Sequence, residues 1–264
     1  MPLRKINRSI ALNLINSFNI KDNIVFKTLY ELSEKKENLI IDDLGFFIGP
    51  IVNSGGRLSK SLIAANLLMS DDLLFVKKQS KDLIELNNKR KEIENKILSE
   101  INFELIGKEN KDIIIYYNPS IKEGLIGIIA SRLKDYFNKP SIVITKSKNN
   151  LKGSARSSIY YNIGSAIKKL IDNKILLNGG GHNMAAGFTM NKNQLMNFEN
   201  YILRDYALKN KNLTIQNTFD AEISASSVNQ DFNDEINKLE HFGNGNPKPK
   251  FSIKDLLMVP SSIG

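Results

Sequence analysis

The spacing of apolar residues divides the chain into stretches of different character. Up to about residue 40 they recur at helical intervals, first Ile6, Ile10 and Leu14, then Val25, Leu29 and Leu32, and predict two short helices. A Gly/Pro/Asn-rich passage from Gly49 to Gly56 follows, ends on Arg57, and leads into a short helix from Leu62 to Met69. From Asp72 to about Phe103 the pattern is one long amphipathic helix. Its apolar stripe is Val76, Leu83, Leu86, Ile93, Ile97 and Ile101, with Lys and Glu elsewhere. At ~30 residues such a helix spans ~45 Å, a length suited to a connector between two domains. A coiled-coil dimer is the rival reading, but Arg90 interrupts the seam.

Beyond the long helix the pattern becomes α/β. Asp112–Tyr117 and Ser141–Thr145 read as strands on either side of a helix from Gly124 to Phe137, with Pro140 opening the second strand. Lys152–Arg156 is a third short strand and Ile163–Ile171 a helix. The glycines 179 to 181 precede a strand through Ala186–Met190 and a helix from Asn193 to Leu208. Lys209–Leu213 is polar and marks a boundary. The last stretch holds a strand (Thr218–Ile223), a helix (Asp231–Leu239) and FGNGNPKPKF, a turn-rich entry into another strand.

Composition narrows the picture only a little. Of 264 residues, 41% are hydrophobic and 25% charged, as in ordinary globular chains. No apolar run approaches the ~20 residues of a membrane-spanning helix. The absence of cysteine excludes a disulfide framework and thiolate metal sites, and fits a cytoplasmic setting. The basic, amphipathic N-terminus runs into further helical pattern with no small-residue cleavage site and reads as structure. A net charge of +9 is compatible with a polyanionic partner, since Lys and Arg that neutralise phosphates gain affinity from counterion release. The same excess of Lys, Asn and Ile follows from AT-rich coding, which needs no ligand.

Three motifs could carry chemistry. In G-P-I-V-N-S-G-G-R (Gly49 to Arg57), glycines with Asn53 could turn consecutive N–H groups toward an oxyanion while Arg57 grips phosphate. The passage reads equally as a turn between helices with a surface arginine. In K-G-S-A-R-S-S (Lys152 to Ser158), Ser154 and Arg156 alternate onto one side of a strand, and Ser157 adds a hydroxyl; this suits a phosphate, or is an ordinary polar strand end. N-G-G-G-H-N-M-A-A-G (Asn178 to Gly187) is the most specific. Its glycines, Gly180 and Gly181 among them, permit close approach of a ligand beside His182, one of two histidines.

Metal-dependent phosphodiester hydrolysis usually draws on several Asp and His side chains. The chain has only His182 and His241 and no D-x-D or D-H-H cluster, while Asp42–Asp43 and Asp71–Asp72 read as helix starts. No Walker A loop, Rossmann fingerprint or Ser-His-Asp set is present.

In this order the motifs resemble the RecJ single-stranded-DNA-specific exonuclease family of the DHH/DHHA1 phosphoesterase superfamily. DLGFFIGPIVNSGGRL is similar to the end of the family's DHH domain, and the long helix to its interdomain connector. EGLIGIIASRLKDYFNKPSIVI, KGSARS and GGGHNMAAGF resemble its DHHA1 domain, and LEHFGNGNPKPKF the entry to its OB-fold. The resemblance implies an α/β fold: the helical end of a DHH domain (1–71), a connector helix (72–105), a DHHA1-type domain with a central mixed sheet (106–210), and the start of an OB-like domain (211–264). It further implies 5′→3′ exonuclease chemistry on single-stranded DNA, in repair and recombination, driven by two Mn²⁺ or Mg²⁺ ions. Carried over, Asn53, Arg57, Ser154, Arg156, Ser157, Gly180 and Gly181 would bind substrate phosphates, and His182 would approach the scissile region. Single-strand-binding protein is an implied partner, and a membrane is not.

Three departures stand out. Ile51 occupies a position where the family usually has arginine, Lys122–Glu123 replaces a common His-Pro pair, and the family's metal-binding motifs would lie upstream. A piece of a longer gene product, binding no metal and inactive alone, is therefore expected. The alternatives are a non-catalytic DHHA1-type module that binds single strands or a protein, and an oligoribonuclease or nucleotide phosphatase of the same superfamily. The long helix and the FGNGNPKP segment argue against the latter, and also against the DHHA1-like tail of an alanyl-tRNA synthetase.

Overall fold

The structure, a computed structural model, describes residues 3–35, 39–58, 61–109, 111–210, 218–243 and 245–254. In chain order the helices and strands are α1 (Ile6–Ser17), α2 (Ile24–Leu32), a π-helical segment (Asp43–Ile48), α3 (Gly49–Leu58), α4 (Leu62–Leu68), α5 (Leu73–Glu100) and α6 (Phe103–Lys108). There follow β1 (Ile114–Tyr117), α7 (Ile126–Phe137), β2 (Ser141–Ser147), β3 (Asn150–Arg156), α8 (Ile163–Asp172), β4 (Asn178–His182), β5 (Ala185–Met190) and α9 (Leu195–Lys209). The chain then gives β6 (Ala221–Glu222), α10 (Gln230–Asn237) and β7 (Phe251–Ser252). Two compact units result. One holds the described residues up to Gly49 with those after 217, and the other those from Pro50 to 210.

The larger unit is built on a five-stranded sheet of order β1-β2-β3-β5-β4. β1 and β2 are parallel, joined by α7, and the remaining pairs are antiparallel, so the sheet is mixed as expected. Residues 141 to 145 of β2 are all buried, as befits a strand covered on both faces. On one face Ile142, Ile144, Leu151, Ala155, Ala186, Phe188 and Met190 pack with α8 and α9. On the other, Ile114 and Val143 pack beneath Ile126, Ile129, Ala130 and Leu133 of α7, backed by Ile93 and Ile97 of α5. The helix starts use the asparagines and aspartates that the composition supplies so freely. The side chains of Asp72, Asn102 and Asn162 accept backbone N–H groups at the starts of α5, α6 and α8. Asn138 closes α7 in the left-handed region (φ 49°) ahead of Pro140.

The smaller unit buries Ile20, Val25, Leu29, Tyr30 and Ile48. Asp43 opens a helical segment, as its acidic pair predicts, but its carboxylate turns inward. It accepts the Tyr30 hydroxyl (2.8 Å) and the Ile40 N–H (3.2 Å) and pairs with the Lys35 ammonium. α1 forms at the predicted spacing, yet Ile6, Ile10 and Leu14 are exposed, so that stripe forecasts a helix and not a buried face.

Two local expectations need correction. The Gly49–Gly56 passage is not a turn but the helix α3, in which Ile51, Ser54 and Gly55 are buried and the Ser54 hydroxyl donates to the carbonyl of Leu83 on α5 (3.1 Å). The glycine triplet does not merely precede a strand: it is the edge strand β4 itself. In the smaller unit β6 and β7 pair in parallel over two residues each, shorter than the predicted strand from Thr218 to Ile223. The end of the predicted boundary at Lys209–Leu213 lies outside the described residues.

Candidate functional site

Register defines the floor of the site. Ser154 of β3, Gly187 of β5 and Gly180 of β4 fall in one row across the sheet, and Arg156, Ala185 and His182 in the next. Directly opposed residues in antiparallel strands project to the same face. Lys152, Ser154 and Arg156 therefore share a face with Thr189, Gly187, Asn178 and Gly180, while the residues between them point to the core below. α7 lies over β2 and β3 on that face and leaves β5 and β4 uncovered. The uncovered remainder is the floor of a cleft of about 820 Å³.

The glycines sort by face. A Cβ on Gly153 would come within 2.1 Å of the Phe188 ring, and one on Gly181 within 2.6 Å of the Ala186 Cβ, so close packing on the core side requires their absence. A Cβ on Gly180 would meet nothing within 4 Å, and one on Gly187 nothing nearer than 3.9 Å. Neither has a positive φ. Packing and backbone geometry leave these two positions open to larger residues, and the bare floor they make is a feature of the cleft.

The wall is the start of α7. A Cβ on Gly127 would be 3.0 Å from a terminal nitrogen of Arg156 and 3.2 Å from Ser154 Oγ, so glycine there lets both side chains lie against the helix. A Cβ on Gly124 would be 2.3 Å from the Arg57 carbonyl oxygen, and the Arg57 guanidinium donates to the Gly124 carbonyl (3.1 Å). The end of α3 and the start of α7 thus meet backbone to backbone, bringing Arg57 toward Arg156.

Both guanidiniums are half-buried and poorly compensated. Arg156 donates to Ser154 Oγ (3.2 Å) and to the Ala155 carbonyl (2.9 Å). Among the described residues neither it nor Arg57 has a carboxylate within 4.0 Å. Burial, and then the charge of Arg57, pull the Arg156 pKa below its ordinary value. Burial and the nearby Arg90 do the same to Arg57, with Glu94 opposing. An arginine stays protonated regardless, so the cleft holds positive charge in want of an anion. At the rim Lys152 donates to Glu123 (2.8 Å); this bond and one from Ser147 hold the Glu123 carboxyl below the usual carboxylate range.

Of the residues singled out in the sequence, the fold brings Arg57, Ser154, Arg156 and Gly180 together in the cleft. His182 leaves the same face one row on, exposed, its Nδ1 accepting the Met184 N–H (3.3 Å). Asn53 lies one turn before Arg57 on α3, exposed and outside the cleft lining. Ser157 is buried with its hydroxyl given to the Tyr161 carbonyl (2.7 Å), and Gly181 has its side-chain direction toward the core. Ile51 is a buried packing residue of α3. Sequence reading missed Lys152, Glu123 and Gly187, and missed Glu94 entirely. That carboxylate is buried on α5 between Arg90 (3.0 Å) and Arg132 of α7 (2.7 Å). Among the described residues no three His, Asp or Glu side chains group as a metal site. The cleft offers arginine, lysine, hydroxyl and bare backbone with one lysine-paired carboxylate, a donor set that does not fit a divalent cation.

Residues 110–204 match the DHHA1 domain and residues 219–263 the RecJ OB domain. The single-stranded-DNA-specific exonuclease RecJ of Haemophilus influenzae is 30% identical over 238 residues, which cover 86% of this chain and 41% of that protein. RecJ of Bacillus subtilis is 28% identical over 98% of this chain and 33% of its own length. The chain thus spans well under half of the curated relatives it matches. RecJ of Thermus thermophilus, solved in complex with Mg²⁺, shares the fold, with a TM-score of 0.77 at 24% identity over 95% of this chain and 39% of that one. Its Mn²⁺ complex gives a TM-score of 0.78. Matching both the DHHA1 domain and the RecJ OB domain, and aligned with RecJ relatives over most of its length, the chain belongs to the RecJ family.

Proposed function

We propose that the cleft grips the phosphates of single-stranded DNA for a 5′→3′ exonuclease of the RecJ type. The observation that carries this is the convergence of two half-buried guanidiniums, Arg57 and Arg156, with no carboxylate within 4.0 Å of either among the described residues. Ser154 supplies a hydroxyl beside Arg156, and Gly180 and Gly187 leave the sheet bare where the nucleotide would rest. His182, in the row of Arg156, stands at the rim where it can reach the scissile region. Asn53, Ser157 and Gly181 have no place in this grip.

The Thermus relatives were solved with Mg²⁺ or Mn²⁺. In our reading the cutting metals are held by residues other than those lining this cleft, and the chain alone binds strands without cleaving them. The wider reading is a cytoplasmic role in DNA repair and recombination alongside single-strand-binding protein. Among the described residues no helix is long and apolar enough to cross a membrane.

Titration of a 5′-phosphorylated, fluorescent single strand with the chain tests the grip. Arg156→Ala should weaken binding by roughly tenfold, the scale of a lost charge-assisted hydrogen bond. Unchanged affinity would remove Arg156 from the grip. Sustained hydrolysis of the same strand by the purified chain with Mn²⁺ would overturn the claim that it does not cut. The poor fit of the cleft to a cation also favours a second reading, a purely binding DHHA1 module; equal affinity for 5′-phosphate and 5′-hydroxyl ends would speak for it.

A further inference from the structure

One cluster of charge lies beside the cleft without lining it. Glu94, 4% exposed, accepts from Arg90 through Oε2 and from Arg132 through Oε1, so one carboxylate faces two guanidiniums. Arg90 is itself nearly buried and also bonds Asn87 (3.1 Å). Ser54 ties α3 to Leu83 of α5, and one turn further along each helix come Arg57 and Asn87. The cationic row therefore runs on from Arg156 through Arg57 to Arg90 and Arg132.

Arg132 is the outward member. Its side chain is 59% exposed, and among the described residues only its Nε is engaged, by Glu94. A guanidinium fixed along one edge by a buried carboxylate and free along the other is pre-oriented for bidentate contact with phosphate. It has lost beforehand the side-chain freedom that a surface lysine would lose on binding. Along α7 it lies five residues beyond Gly127 of the cleft wall, ~7.5 Å along the axis and roughly 140° around it, so that Gly127 meets β3 while Arg132 meets α5.

We infer that Arg132, held by Glu94, binds a second backbone phosphate of a single strand whose first phosphate lies in the cleft. This rests on the reading of the cleft as a phosphate grip and adds a site to it. A purely structural Arg132, present only to join α5 to α7, would contribute to folding but leave the salt dependence of binding alone.

The test measures affinity against salt for the full chain and its Arg132→Ala and Arg156→Ala variants. The probes are a 5′-phosphorylated dinucleotide and a single strand of roughly twenty nucleotides, long enough to release counterions at several contacts. Arg132→Ala should weaken the long probe about three- to tenfold, reduce its salt slope by about 0.7, and leave the dinucleotide unchanged. If its melting point falls enough to cloud the result, Arg132→Gln, which keeps a donor to Glu94, replaces it with the same expectation. An unchanged slope, or equal loss on both probes, overturns the second site. Arg156→Ala should weaken both probes. If it weakens neither, the reading of the cleft fails, whatever Arg132 does.

Discussion

The two faces of strands β3, β5 and β4 follow opposite rules although their residues alternate. On the core face every side chain is fixed by contact: Leu151, Ala155, Ala186, Phe188 and Met190 are buried beneath α8 and α9, and Gly153 is glycine because the Phe188 ring lies across it. On the cleft face Gly180 and Gly187 have room for a side chain and carry none, while Arg156 lies half-buried with no carboxylate within 4.0 Å among the described residues. One face minimises its own free energy. The other leaves space and charge unsatisfied, the usual mark of a surface shaped by a ligand. Substitutions should therefore separate stability from binding according to face.

The largest effect belongs to the core face. Phe188→Ala would remove a buried ring that packs against Phe198, centroids 4.6 Å apart and tilted by 32°, and should cost about 3–5 kcal/mol of unfolding free energy. Urea denaturation followed by circular dichroism would measure it. A loss below about 1 kcal/mol would mean that this face tolerates a void, against the rule for close-packed interiors.

Next comes the matched glycine comparison. Gly153→Ala should destabilise by about 1–3 kcal/mol, because its Cβ forces the Phe188 ring to move. Gly180→Ala and Gly187→Ala should change stability by no more than about 0.5 kcal/mol, as substitutions free of contact do, while weakening strand binding. Melting curves of the three variants side by side decide it. If Gly180→Ala costs as much as Gly153→Ala, the distinction between the faces fails.

That distinction was only half legible in the sequence. Alternation in K-G-S-A-R-S placed Ser154 and Arg156 on one side, and the structure puts them there. The glycine triplet was visible as a signal but not as a strand, because glycine has low strand propensity and only pairing with β5 holds it extended. Which glycine serves packing and which serves the cleft depends on long-range register. The helix α5 shows a different limit. Its apolar stripe was read correctly, but the buried seam also includes Ser80, Asn87 and Glu94, seven residues apart. A charged residue on a helix reads as solvated unless its partner, Arg132, is known to lie opposite. The heptad spacing of those three polar residues was the available clue.

A smaller binding effect is expected at Ser154. Its hydroxyl accepts from Arg156 and orients the guanidinium, so Ser154→Ala should weaken single-strand binding by about threefold, within the range of one neutral hydrogen bond, with little change in melting. Equal affinity for the variant would leave Arg156 positioned by Gly127 and its own backbone alone.

The smallest effect has the opposite sign. Among the described residues Glu123 is the one carboxylate that lines the cleft, and its bond from Lys152 holds an otherwise available cation. Glu123→Gln should therefore strengthen binding of a single strand, by about twofold, as removal of a rim charge does. The same change should follow from acid. The Glu123 pKa is depressed, so its stabilising contribution is present above the unfolded value of about 4.3 and is lost as pH falls through the lower folded value. Protonation in that window frees Lys152 for phosphate. The wild-type chain should gain affinity there relative to Glu123→Gln, whose binding has no such step. A wild-type profile parallel to that of the variant would show that Lys152 takes no part in the grip, and would confine the cleft's attraction for phosphate to its two arginines.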